Sequence, residues 1–145
     1  MANKGSDIAR SSLNAMLDSS KAPCEITEAR IGNANYFDKH FSAIPQITVP
    51  VRLPNTRQVF HIYVIRAEKR NELQRFLVDQ GVDAKIHYPV PIHLQPAARH
   101  LGYKRGDLPV TESQAEKILT LPIHQYLSEG QISYVSESIN KFYEK

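Results

Sequence analysis

Two periods of apolar spacing divide this chain into helices and strands. Over residues 26–44, Ile26, Ala29, Ile31, Ala34, Tyr36, Phe37 and Phe41 recur mostly at three- and four-residue steps. That spacing predicts an amphipathic helix, with Glu25 or Thr27 helping to cap its start and Pro45 ending it. Residues 59–66 alternate instead. Val59, His61, Tyr63 and Ile65 share one face, and Phe60, Ile62, Val64 and Arg66 the other. Both faces are largely apolar and rich in β-branched and aromatic side chains, which predicts a central strand. Residues 69–80 return to helical spacing through Leu73, Phe76 and Leu77, with Gly81 as the C-cap. Residues 82–88 read as the next strand. Strand, helix and strand in thirty residues form one packing unit in which the helix covers the sheet.

The rest of the pattern is shorter. Residues 46–51 are an extended piece between prolines, an edge strand at best, and Pro54-Asn55-Thr56-Arg57 is a turn. Pro96 opens a short helix to Leu101, and GYKRGDLP is a loop. Thr111 and Gln114 make a capping pair for a helix to about Leu119. Thr120-Leu121-Pro122 is extended, and Ser128 caps a last helix carrying Ile132, Val135, Ile139 and Phe142. The expected fold is α+β, with a small antiparallel or mixed sheet of about three strands covered by helices. Residues 1–22, rich in Ser, Asn, Lys and Asp, read as a flexible leader with a weak apolar patch at Leu13, Met16 and Leu17. The domain proper spans 23–145.

Composition narrows the class. The 145 residues are 41% hydrophobic and 23% charged, ordinary for one soluble domain with or without a tail. One cysteine, Cys24, excludes an internal disulfide and points to a reducing, cytoplasmic setting. Catalytic use of Cys24 would need a base beside it that the sequence does not place. No run approaches the ~20 apolar residues of a membrane span, and MANKGSDIARSS lacks the apolar core of a secretory signal. The net charge of +3 is spread out. Lys69–Arg70 and Lys104–Arg105 are isolated pairs and not a phosphate-tracking stripe, so nucleic acid is not an expected partner.

The chemistry concentrates in IHYPVPIHLQP, residues 86–96. His87, Tyr88, His93 and Gln95 place two imidazoles, a phenol and an amide within nine residues. Such groups suit sugar hydroxyls or phosphate oxygens, and the prolines stiffen the loop before a ligand arrives. A second junction, LTLPIH, ends at His124. Blander readings stand beside these. His61 alternates with apolar residues and reads as a core or half-buried histidine. His93 and His124 are as readily loop staples that bond backbone carbonyls. His87 and His93 lie six apart with no acid in the loop, and Asp83 and Asp107 belong to other segments, so a metal site is not expected. The chain has no GxSxG elbow, GxGxxG or Walker lysine.

The run VFHIYVIR…RNELQRFLVDQGVDAKIHYPVPIHLQPA…LGYKRGDLPVTESQAEKILTLPIH resembles the C-terminal domain of the DegT/StrS family of pyridoxal-phosphate-dependent sugar aminotransferases. The likeness runs from about Ala29 to Phe142, and HYPxPxHLQPA, GDLPVTE and LTLPIH carry it. It implies the small domain of the aspartate aminotransferase fold type I. It also implies a homodimeric enzyme of amino-sugar biosynthesis that moves an amino group, usually from glutamate, onto a nucleotide-linked keto-sugar. In such enzymes a lysine of the large domain holds pyridoxal phosphate. By this resemblance His87 and Tyr88 face the sugar and cofactor, while His93 and Gln95 shape the loop behind them. The HYP form is similar to enzymes that aminate 3-keto sugars.

Departures from the family pattern set further expectations. The large domain and its lysine context do not appear, and the lysine nearest the loop is Lys85, on the segment leading into it. Residues 7–15 resemble an eroded remnant of the family's Asn-x-Arg element at its domain boundary. The chain is therefore expected to be inactive alone, with no catalytic or cofactor-binding residue of its own and no covalently held cofactor. It is expected to self-associate or to need a missing large domain. The alternative is a stand-alone ligand-binding or protein-interaction module derived from that domain.

Overall fold

Pro23 starts the first described element of the computed structural model, which describes residues 23–144. The expectations for residues 1–22, including the patch at Leu13, Met16 and Leu17 and the remnant at 7–15, lie outside the described residues, as does the side chain of Cys24. Helix α1 (Pro23–Phe41) begins earlier than its apolar spacing suggests. Proline suits the first turn of a helix because its missing N–H has no partner to lose there. Glu25 and Thr27 therefore lie inside the helix, with Glu25 in its first turn. Ala34, Phe37 and Phe41 are its buried positions. The helix stops at Phe41, and a turn closed by Ile44 N–H to the Phe41 carbonyl (3.0 Å) leads to Pro45.

Three antiparallel strands follow in the order β1-β2-β3: β1 (Ile47–Thr48), β2 (Tyr63–Ala67) and β3 (Ile118–Leu121). Tyr63 pairs with Leu121 and Ile65 with Leu119 on the core face, while Val64 pairs with Thr120 on the opposite one. The strand expected over 59–66 is central, as read, but it starts four residues later. Phe60 has a left-handed φ of 49° that breaks the alternation. The Arg30 guanidinium donates to the carbonyls of Phe60 (3.2 Å) and His61 (3.0 Å), groups a ladder would have used. Phe60 turns into the core, whereas His61 is exposed, which corrects its reading as a core or half-buried histidine.

Helix α2 (Arg70–Asp79) buries Leu73 and Leu77 against β2 and β3. It ends in a Schellman motif: Gly81 N–H reaches the Val78 carbonyl and Val82 N–H the Leu77 carbonyl, both at 2.8 Å, with Gly81 at φ 78°. The strand expected over 82–88 contracts to one antiparallel bridge, Lys85 to Thr120. Ala84 N–H turns back onto the Val82 carbonyl (2.8 Å) before the bridge, and Pro89 removes a donor after it.

Two 3₁₀ segments (Ile92–Leu94 and Pro96–Leu101) precede helix α3 (Pro109–Lys117). Thr111 and Gln114 lie within α3 and do not cap it, since Pro109 takes the first helical position and Leu108 the N-cap. Helix α4 (Glu129–Tyr143) has the expected start, a reciprocal capping box between Ser128 and Gln131. Packing α1, α2 and α4 together over the core face of the sheet buries Phe37, Phe41, Tyr63, Ile65, Leu119, Val135 and Ile139. The fold is α+β, as the apolar spacing predicts. No helix among the described residues is long and apolar enough to cross a membrane.

Candidate functional site

The Lys85–Thr120 bridge decides where the polar loop begins. Lys85 N–H donates to the Thr120 carbonyl (3.0 Å) and Thr120 N–H returns a bond to Lys85 (2.7 Å). Two residues on, His87 Nδ1 lies 3.1 Å from Thr120 Oγ1. Thr120 shares its face with Val64, opposite the helical core, so His87 is held half-buried on the outer side of the sheet. Tyr88 follows through a cis peptide and is 72% exposed, its ring edge-on to His87 at 5.6 Å. Gln95 is turned inward on its own loop, donating from Nε2 to the Val90 carbonyl (3.1 Å).

His93 points away from solvent. It is buried, and its Nε2 meets Glu112 Oε1 at 3.0 Å; the Tyr103 ring lies edge-on to it at 6.2 Å. His93 is a staple whose partner is not a backbone carbonyl but a carboxylate nineteen residues away. Glu112 also accepts the amide of Gly106 (2.9 and 3.0 Å) and that of Leu108 at 3.4 Å. The loop itself holds no acid, and Asp83 and Asp107 are the nearest carboxylates on either side of it in sequence. Asp83 instead pairs with Lys85 (2.9 Å), and Asp107 caps the Lys104 amide (2.9 Å). A signal for Glu112 existed in GDLPVTE. An acid in the first turn of a helix opened by proline faces the free amides at that helix's start.

The LTLPIH junction diverges. Thr120 serves His87, whereas His124 is buried toward α1, where its carbonyl accepts from Asn33 Nδ2 (3.0 Å). Burial, helped by the positive charge of Arg30, holds the His124 imidazole below its ordinary value. The hydrogen bond from His93 is the main cause that holds Glu112 below the usual carboxylate value. The amides of Gly106 and Leu108 add to it, and burial opposes them. Both shifts have the same sign for stability. A folded His124 that resists protonation loses ground to the unfolded chain as pH falls below 6.5. A depressed Glu112 stabilises fully above 4.5 and loses that contribution as pH falls from there through its folded value. The urea midpoint of the protein is thus expected to drop in two stages on acidification. Glu112→Gln should flatten the stage below 4.5 and leave the one below 6.5 in place. An unaltered lower stage in that variant would remove Glu112 as its source.

Pyridoxal phosphate would need a lysine to hold it. A lysine that forms a Schiff base must be enclosed and free of competing partners. Lys39, Lys69, Lys85, Lys104, Lys117 and Lys141 are all exposed, and Lys85 is ion-paired. The described residues therefore do not fit a covalent cofactor site. Nor do they contain a group of three or more His, Cys, Asp or Glu side chains able to hold a metal.

Residues 20–140 match the model of the DegT/DnrJ/EryC1/StrS aminotransferase family. The chain belongs to that family. It is similar to a pleiotropic regulatory protein of Geobacillus stearothermophilus, with 46% identity over 67% of this chain and 26% of that protein. A dTDP-3-amino-3,4,6-trideoxy-alpha-D-glucose transaminase of Streptomyces venezuelae is 38% identical over 72% of this chain and 27% of its own length. Among solved structures, Streptomyces venezuelae DesV in complex with a ketimine intermediate superimposes with a TM-score of 0.80 at 34% identity. That match covers 83% of this chain and 32% of DesV. The resemblance read from the HYPxPxHLQPA, GDLPVTE and LTLPIH motifs is thereby confirmed. The chain spans about a quarter to a third of the length of these relatives and corresponds to the C-terminal part of family members.

Proposed function

We propose that this chain forms the small-domain wall of a nucleotide-sugar aminotransferase site, with His87 and Tyr88 toward the sugar, and that it does not transaminate alone. The observation that carries the reading is the strand-end geometry. The Lys85–Thr120 bridge and the His87–Thr120 contact anchor one side chain, while the adjacent phenol of Tyr88 stays open to a ligand. His93 and Gln95 spend their polar groups within the protein, which suits a supporting role behind that pair. Pyridoxal phosphate, bound elsewhere by a lysine-bearing domain, would supply the electron sink for transfer from glutamate. This chain's own residues would orient the sugar: His87 as a fixed hydrogen-bonding imidazole, Tyr88 as a hydroxyl on a broad apolar ring. The 3-amino sugar in the name of the Streptomyces venezuelae transaminase favours amination at that position.

Tyr88, Ile92 and Val110 are 72%, 77% and 70% exposed, an apolar surface that suits cover by the large domain or, without it, by a second copy. The single cysteine agrees with the reducing cytoplasm, where we place the protein. NMR titration with dTDP-glucose is expected to give saturable shifts at residues 87–95 with a dissociation constant on the order of millimolar. His87→Ala and Tyr88→Phe should weaken it severalfold. Incubation with pyridoxal phosphate and then dialysis should leave no bound chromophore. A retained cofactor that responds to glutamate would overturn the inactivity, and no binding of the sugar nucleotide would overturn the site.

A further inference from the structure

An open groove of about 280 Å³ lies beside Tyr88. One wall is the proline-rich loop, through Tyr88, Val90 and Ile92; the other is helix α3, through Val110, Thr111 and Gln114. The walls are eighteen or more residues apart in sequence, so the width of the groove depends on tertiary contacts. His93 follows directly on the first wall, and Glu112 sits in the first turn of the helix that makes the second. Their hydrogen bond, 3.0 Å between residues 7% and 8% exposed, ties wall to wall from behind. The same carboxylate holds the amides of Gly106 and Leu108, so one group gathers the loop, the turn before α3 and the helix itself.

We propose that Glu112 is a positioning residue: through His93 it sets the spacing of the groove's walls and the presentation of Tyr88 to the nucleotide-linked sugar. This deepens the reading of the site and rests on it. The carboxylate touches no substrate and acts only through the loop. A neutral amide could replace His93, because the Nε2 of glutamine has nearly the reach of the imidazole Nε2 and still donates. Alanine could not.

The discriminating experiment compares Glu112→Gln, His93→Ala and His93→Gln with the parent protein by residue-resolved amide exchange and by NMR titration with dTDP-glucose. His93→Ala is expected to speed exchange over residues 90–95 and 106–108 by about tenfold or more, with β2 and β3 unchanged, the pattern of a local opening. Its affinity for dTDP-glucose should fall severalfold. His93→Gln should stay near the parent in both measurements. Glu112→Gln, which keeps one acceptor oxygen but loses the charge and the second oxygen, should shift both readouts in the same direction as His93→Ala, and by less. Faster exchange spread evenly through β2 and β3 would overturn the proposal, since Glu112 would then only stabilise the fold. Failure of His93→Gln to restore either readout would overturn it too. If the parent protein binds no dTDP-glucose, the reading of the site fails, while the exchange measurements still decide whether Glu112 positions the loop.

Discussion

Replacing Phe37 with alanine is expected to lower the unfolding free energy by about 3–5 kcal/mol, the usual cost of deleting a fully buried ring. Phe37 is inaccessible to solvent, and its ring lies 5.2 Å from Phe41 and 5.3 Å from Tyr63. It therefore joins α1 to the central strand through side-chain packing. Small domains of this size have roughly 5–15 kcal/mol to lose, so the variant should unfold at much lower urea or fail to fold at ordinary temperature. A loss below about 1 kcal/mol would mean that α1 is not anchored through this ring.

Arg30→Met should cost about 2 kcal/mol, within the range for hydrogen bonds to charged groups. Methionine keeps much of the length of the side chain but none of its donors. The carbonyls of Phe60 and His61 and the Gln125 side chain, now bonded at 3.2, 3.0 and 3.1 Å, would lose their partner. Arg30→Lys should recover little, because an ammonium cannot reach three acceptors with the geometry of a guanidinium fork. Urea titration of the two variants checks this. If Arg30→Lys matched the parent protein, charge alone and not the fork would explain the contact.

Local pattern carried much of the fold. The three-and-four spacing of Ala34, Phe37 and Phe41, the Leu73–Leu77 face, the Gly81 stop and the Ser128 start all appear where periodicity and capping place them. These features depend on neighbours within a helical turn or two, which a sequence displays directly. The errors share a different cause. The strand at 59–66 lost its first half to Arg30, a side chain thirty residues upstream. The strand at 82–88 shrank to a single bridge because Ala84 turned back on Val82 and proline closed the other end. His61 followed its broken strand into solvent.

The same division holds for the loop of residues 86–96. From the sequence alone came its stiffness, set by prolines, its set of polar groups, and a motif specific enough to identify the family. Which of those groups face outward was decided by the tertiary structure. Thr120 catches His87, Glu112 draws His93 inward, and Tyr88 is left exposed. Those partners lie nineteen to thirty-three residues away. A hydrogen bond needs its donor and acceptor within about 3 Å, and only the folded chain brings residues so far apart to that distance.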